Sequence, residues 1–264
     1  MAKTLLALIA GFILFSGQAS AQKITADQRE YIRANTIFMI YHELGHALID
    51  LLRLPVFGRE EDAADVLGVV LSEKINSEKE HQFILLAAAD NFAKMAKSAE
   101  RDGDEPALWD THGLDLQRYY TLVCLYYGAD PKGRRQVAKD RRLPEGRRET
   151  CAEEFRLAEE SWGPVLEDIA VSGQERGWIR FRREDRPRND GERVVLATAK
   201  AEAAALNARF RADKPLDMVF GQCGEANAYY DEDEQRVIIC AELAELFTGV
   251  APLAGQPDHT QNKQ

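Results

Sequence analysis

The run IFMIYHELGHALIDLL, residues 37–52, constrains the chain more than any other stretch. Apolar residues recur at helical spacing from about residue 27 to 53, which predicts a long, buried helix with Asp27 as its N-cap. Three polar residues are set into it: His42, Glu43 and His46. Two imidazoles four residues apart project from one helix face and can reach a single tetrahedral cation. Glu43 is rotated off that line and is free to act as a general base toward water.

The stretch LPVFG, residues 54–58, carries Pro55 and Gly58 and breaks this helix, and a second begins near Glu60 in EEDAADVLGVVLSEK. Five linking residues predict an antiparallel hairpin, which turns the second helix back onto the histidines. A catalytic metal needs a third protein ligand. Glu61 and Asp65, four apart, share a face of the second helix, in an acidic first turn (Glu60, Glu61, Asp62) that also suits a helix N-terminus.

Further helices are expected over EKEHQFILLAAADNFAKMAKSAE, HGLDLQRYYTLVCLYYG and ETCAEEFRLAEESWGPVLEDI. The basic run between the last two, residues 132–148, reads as a solvated loop or short helix. After about residue 172 the pattern turns to β. GWIRFRRE, ERVVLATA and LDMVFGQCG carry strand-like residues, the second running toward the alanine-rich KAEAAALNARF. NAYY and RVIIC, around the polar DEDEQ, read as a hairpin.

The first 21 residues have the make-up of a secretory signal peptide: Lys3, the apolar LLALIAGFILF, and small residues at Ala19 and Ala21 before the expected cleavage. The apolar run is short for a bilayer span, so no stable membrane span is expected after cleavage, and the protein is placed in the periplasm or outside the cell. Four cysteines in an exported chain predict two disulfides, and chain proximity pairs Cys124 with Cys151 and Cys223 with Cys240. With a net charge of −10 and no basic face interleaved with aromatics, nucleic acid is not an expected partner.

Of five histidines, His259 lies in the expected flexible tail 251–264, and His81, at the polar start of the third helix, is expected to be solvated. His112, beside Asp110 and Asp115 in WDTHGLDLQRYY, is the candidate for stabilising an oxyanion, with Arg118, Tyr119 and Tyr120 as weaker contenders.

HELGH followed by E-x-x-A-D resembles the gluzincin metallopeptidases of the thermolysin and neprilysin type. The resemblance implies that His42, His46 and Glu61 bind Zn2+, that Glu43 is the catalytic base, and that Asp65 supports His42. NAYY is similar to the edge-strand motif of neprilysin-like enzymes, which implies that Asn227 and Ala228 hold an extended peptide backbone. In those enzymes the strand precedes the active-site helix, whereas here it follows by about 180 residues, an order resembling a circular permutation. The whole run of HELGHALIDL, EEDAAD, HGLDLQRYY and CGEANAYY looks like a bacterial family known by a metallopeptidase description with no substrate attached. The expected fold is therefore α+β, mainly α: a zincin-like helix hairpin with a small late β-hairpin or sheet, in one domain over residues 22–250. Its partner would be a peptide or protein substrate. The competing expectation is a zinc-binding envelope protein or interaction module without turnover.

Overall fold

The computed structural model describes residues 23–171 and 177–250; the expected leader and tail lie outside the described residues. The N-cap of helix α1 (Ala26–Leu52) is Thr25, two residues before the expected one. Thr25 accepts a hydrogen bond from the Gln28 N–H and the Gln28 side chain returns one to the Thr25 N–H, so this pair, and not Asp27, closes the N-terminus. Ile32, Phe38, Ile40, Tyr41, Leu44 and Leu48 are all but inaccessible to solvent. A helix apolar around its circumference must be surrounded, and α1 is, by the helices and the strand β3 described below.

Arg53 adopts a left-handed backbone (φ 55°), the chain turns, and α2 (Glu60–Ile75) runs back along α1. The pairing is antiparallel: Gly45 lies against Ala64, His42 against Asp65, and Phe38 against Gly68. The approach is close because small residues meet. A methyl group on Gly45 would sit 2.8 Å from the Ala64 Cα and 3.0 Å from its Cβ.

Ser77 caps α3 (Glu78–Asp102), and Gly103, at φ 78°, ends it. A loop leads to α4 (Asp115–Ala129), followed by α5 (Arg135–Asp140) and α6 (Glu145–Asp168). The basic run thus holds one short helix and the start of α6. Arg134 within it is buried, donating to Glu73, Glu78 and the Tyr126 carbonyl and lying over the Tyr126 ring. His81 is likewise buried, 1 % exposed, between Ser72, Glu73 and the Tyr126 ring, which corrects the expectation of a solvated residue. Cys124 on α4 is joined to Cys151 on α6, and Cys223 to Cys240, as chain proximity predicts.

The sheet has the order β1-β2-β4-β3, from β1 (Ile179–Arg183), β2 (Leu216–Gly221), β3 (Ala228–Asp231) and β4 (Arg236–Cys240). ERVVLATA is not a strand. It lies in α7 (Asp190–Asn207), capped by Asn189 on the Glu192 N–H, with Val194, Val195, Thr198 and Ala199 buried at helical spacing. The reason is topological: β1 and β2 are parallel neighbours, and parallel neighbours need a crossover, here α7. β2 and β4 are also parallel, while β3 pairs antiparallel with β4 as the expected hairpin and forms one edge. Helices α7 and α8 (Leu243–Val250) pack with α1, and β3 lies against α1. The fold is mainly helical with a small four-stranded sheet, as expected.

Gly45→Ala forces its new methyl into the α2 backbone, where no side chain can rotate away. Overpacking of this kind costs about 1–3 kcal/mol. Thermal denaturation followed by circular dichroism is expected to show a lowered midpoint, whereas Gly146→Ala on α6, with open space around it, keeps or raises it.

Candidate metal centre

His42 and His46 bring their Nε2 atoms to 3.3 Å from each other on the α1 face that meets α2. From α2, Glu61 Oε2 stands 3.2 Å from the first and 3.4 Å from the second. His112, from the loop before α4, places its Nε2 2.9 Å from the same oxygen. The donor atoms of His42, Glu61 and His112 all lie within 4.8 Å of one another. Glu61 Oε2 is sealed from solvent, yet no N–H is aligned on it as a hydrogen-bond donor. An orphaned carboxylate oxygen ringed by imidazole nitrogens fits a cation at their centre, and imidazole with carboxylate suits a first-row divalent ion.

The other ring nitrogen of each imidazole is held by a carboxylate. His42 Nδ1 lies 2.8 Å from Asp65 Oδ1, His46 Nδ1 2.7 Å from Glu60 Oε1, and His112 Nδ1 3.2 Å from Asp110 Oδ1. In the neutral imidazole, an Nδ1–H donating to a carboxylate leaves the Nε2 lone pair facing the shared centre, the usual backing of a metal-bound histidine. Asp65 is itself gripped by Arg118, which donates from Nε and Nη2 at 2.8 and 2.7 Å and lies 4.0 Å over the Phe92 ring. His112 is steadied further by its own N–H on Asp110 and by Arg59 donating to its carbonyl at 3.3 Å.

These contacts set the proton affinities. Burial pulls His42 down, but Asp65 and Glu61 more than reverse it and raise the imidazole to about 9. Burial also lowers His46, and Glu61 and Glu60 raise it by more. His112 is raised chiefly by Glu61. Glu61 is pushed up by burial but held far below the carboxylate range by His112, His42 and His46. Glu43 behaves oppositely. It is 4 % exposed, and burial pushes it up to about 7 against the pull of His42 and His46. No hydrogen bond or ion pair to another described residue holds its carboxylate.

Asn227 and Ala228 lie at the free edge of the sheet, away from this cluster in sequence but tied to α1, since the Tyr230 hydroxyl donates to Asp50 at 2.7 Å, one turn beyond His46. Of the lesser oxyanion contenders, Arg118 is committed to Asp65 and Tyr119 to the Arg141 carbonyl, and Tyr120 lines the cleft between α2 and α4. A cleft of about 550 Å3 between α2 and α4 is lined by Asp65, Arg118 and Arg59 but by none of the facing imidazoles, so it lies behind the cluster. Two contributors escaped the sequence, Glu60 as the partner of His46 and Arg118 as the clamp on Asp65, while of the two carboxylates set beside His112 it is Asp110 that pairs with it.

Asp65 is buried and charged, with Arg118 its one fixed counter-charge. Burial pushes its carboxyl up, and Arg118 and His42 hold it well below the usual range. A depressed carboxylate adds stability that is complete above its unfolded value of about 3.9 and lost as pH falls through the folded value. Arg118→Met is expected to cost about 3 kcal/mol at pH 7 in urea denaturation, because it strands that charge; an unchanged urea midpoint would refute the clamp.

Residues 9–166 and 192–263 match the family DUF4344, whose description reads "Putative metallopeptidase". No curated protein and no solved structure matches the chain. The matched residues include every member of the imidazole cluster and all of β3 and β4. A coincidence of metal-ligating residue types with a metallopeptidase family over most of the chain leaves one assignment: the chain belongs to DUF4344, the family described as "Putative metallopeptidase".

Proposed function

We propose that the protein is an exported, zinc-dependent peptidase of gluzincin type, in which His42, His46 and Glu61 hold the metal and Glu43 is the general base. One observation carries this reading: carboxylate-backed imidazoles converge through Nε2 on a buried, unsatisfied Glu61 oxygen, and Glu43 lies buried beside them with no hydrogen bond or ion pair to another described residue. Zinc bound by such a donor set supplies Lewis acidity, which polarises a peptide carbonyl and makes water a better nucleophile.

The chain's own residues do the rest. Burial pushes the Glu43 carboxyl up, and a buried carboxylate beside the ligand set can both take a proton and give it back. Glu43 therefore accepts the proton of the attacking water on a carboxylate oxygen and passes it to the departing amine. A purely structural metal site has no use for an unpaired buried carboxylate, so this residue favours turnover over mere metal retention. Asp65 and Glu60 fix the ring orientations of His42 and His46. His112, oriented by Asp110, is placed to donate to the oxygen on which charge develops.

The substrate is read as an extended peptide. The Asn227 carbonyl accepts from the Cys240 N–H, so this residue pair is hydrogen-bonded. By antiparallel alternation, the backbone groups of Ala228 and Tyr230 then point away from β4, toward the open edge. The Asn227 side chain takes the Ala228 N–H at 2.9 Å, which leaves the Ala228 carbonyl to pair with an added strand. The two cystines suit an oxidising compartment, in keeping with the leader read in residues 1–21. Among the described residues, no helix is long and apolar enough to cross a membrane.

Elemental analysis of the purified protein is expected to find about one zinc per chain, lost in His46→Ala. Glu43→Gln is expected to keep the metal and lose at least about a hundredfold in hydrolysis of unfolded protein substrates. Metal retained in both proteins with no hydrolysis by either would favour the envelope metal-binding protein, and no metal in any form would sink the peptidase.

A further inference from the structure

Two overlapping ligand sets meet on Glu61. One is the helical set of His42 and His46 with Glu61. The other, drawn by mutual proximity alone, is His42 and Glu61 with His112. All three Nε2 atoms stand between 2.9 and 3.4 Å from Glu61 Oε2, and the shortest of these distances belongs to His112. Its Nδ1 is backed by Asp110 just as Asp65 backs His42 and Glu60 backs His46. A histidine needed only to brace a substrate oxygen has no reason to share the carboxylate at the heart of the ligand set.

We infer that His112 is a fourth protein ligand, closing the metal centre in the resting protein, and that it is the ligand that leaves when a substrate enters. This rests on the peptidase reading and deepens it. Four protein ligands make a closed site and three leave one position open, so the site must shed one ligand to work. His112 is the one that can go. The side chains of His42 and His46 are 3 % and 14 % exposed and fixed on the central helix, whereas that of His112 is 48 % exposed on the loop 103–114. The loop is pinned near its end by Arg59 on the His112 carbonyl, and Leu108 and Trp109 face solvent at 80 % and 86 %. Large apolar side chains left uncovered beside a metal-facing histidine suit a loop that covers them only on engaging a peptide. Once off the metal, His112 keeps its hold on Asp110 and remains beside the site as a donor.

The test uses the full chain loaded with Co2+, whose absorption reports its ligands. His112→Cys is expected to gain a thiolate-to-cobalt charge-transfer band, with both native disulfides intact by mass. His112→Ala is expected to weaken zinc binding by at least about tenfold. It should also bind azide at cobalt at least about tenfold more tightly than the wild type, because its fourth position is open. His112 lies half-exposed on a loop, and circular dichroism verifies that each variant is folded. A folded His112→Cys protein without the band, together with His112→Ala unchanged in zinc affinity and azide binding, would overturn the inference and leave the three-ligand peptidase standing. Failure of the wild type to take up either metal would remove both readings.

Discussion

The contact on which the molecule depends is the close approach of α1 and α2 at Gly45 and Ala64. Glutamate and histidine side chains are long but finite. For Glu61 on one helix to come within 3.4 Å of two imidazoles on the other, the helix backbones must lie nearer than large side chains at the contact would permit. Gly45 stands between Glu43 and His46, so the residue that lets α2 in belongs to the same short run as the two facing histidines. Gly68 against the Phe38 ring is a second close contact, two turns away along α1, between the same antiparallel helices. The helix packing and the geometry of the imidazole cluster depend on the same contact.

What surrounds this pair is support arranged by depth. α1 is buried on every side, so His42 and His46 cannot drift. Arg118 reaches from α4 to Asp65, and through it to His42, which makes a charge on a third helix responsible for the aim of an imidazole on the first. The Cys124–Cys151 bond and the Gly128 contact with the Cys151 backbone hold α4 to α6 just beyond this clamp. The sheet enters at the other end, where Tyr230 of the edge strand is bonded to Asp50 of α1. The open edge and the imidazole cluster are thus referred to one rigid helix.

The sequence discloses what is periodic and local. The first two helices, the hairpin between them and the conjunction of His42, His46 and Glu61 follow from spacings of four residues and a short link. ERVVLATA misleads because its paired valines suit a strand locally, and only the need to cross over between parallel β1 and β2 makes it helical. His81 misleads because the start of a helix is usually wet, whereas here Ser72, Glu73 and Tyr126, from other elements, enclose it. The Arg118–Asp65 pair joins residues 53 apart, and no local pattern marks such a partnership. The Glu60–His46 contact was hidden by competition: in an acidic first turn, the neighbour with the better offset claimed the attention.

Charge balance explains why such a cluster tolerates burial. Glu61 and Asp65 face the imidazoles from the buried side of the cluster, with Arg118 the fixed cation on Asp65, so neutral rings would leave Glu61 without a counter-charge there. Without a metal, the imidazoles answer by holding protons more tightly, which is the sense of the upward displacement of His42, His46 and His112. A cation among the Nε2 atoms removes the need for those protons, and its binding must therefore release them. Glu43 stands apart from this balance. Among the described residues no hydrogen bond or ion pair holds it, its burial disfavours its charge, and its raised proton affinity comes from that burial, not from the cluster's need for counter-charge. Held beside the converging imidazoles, it is the group that the proposed proton transfer would use.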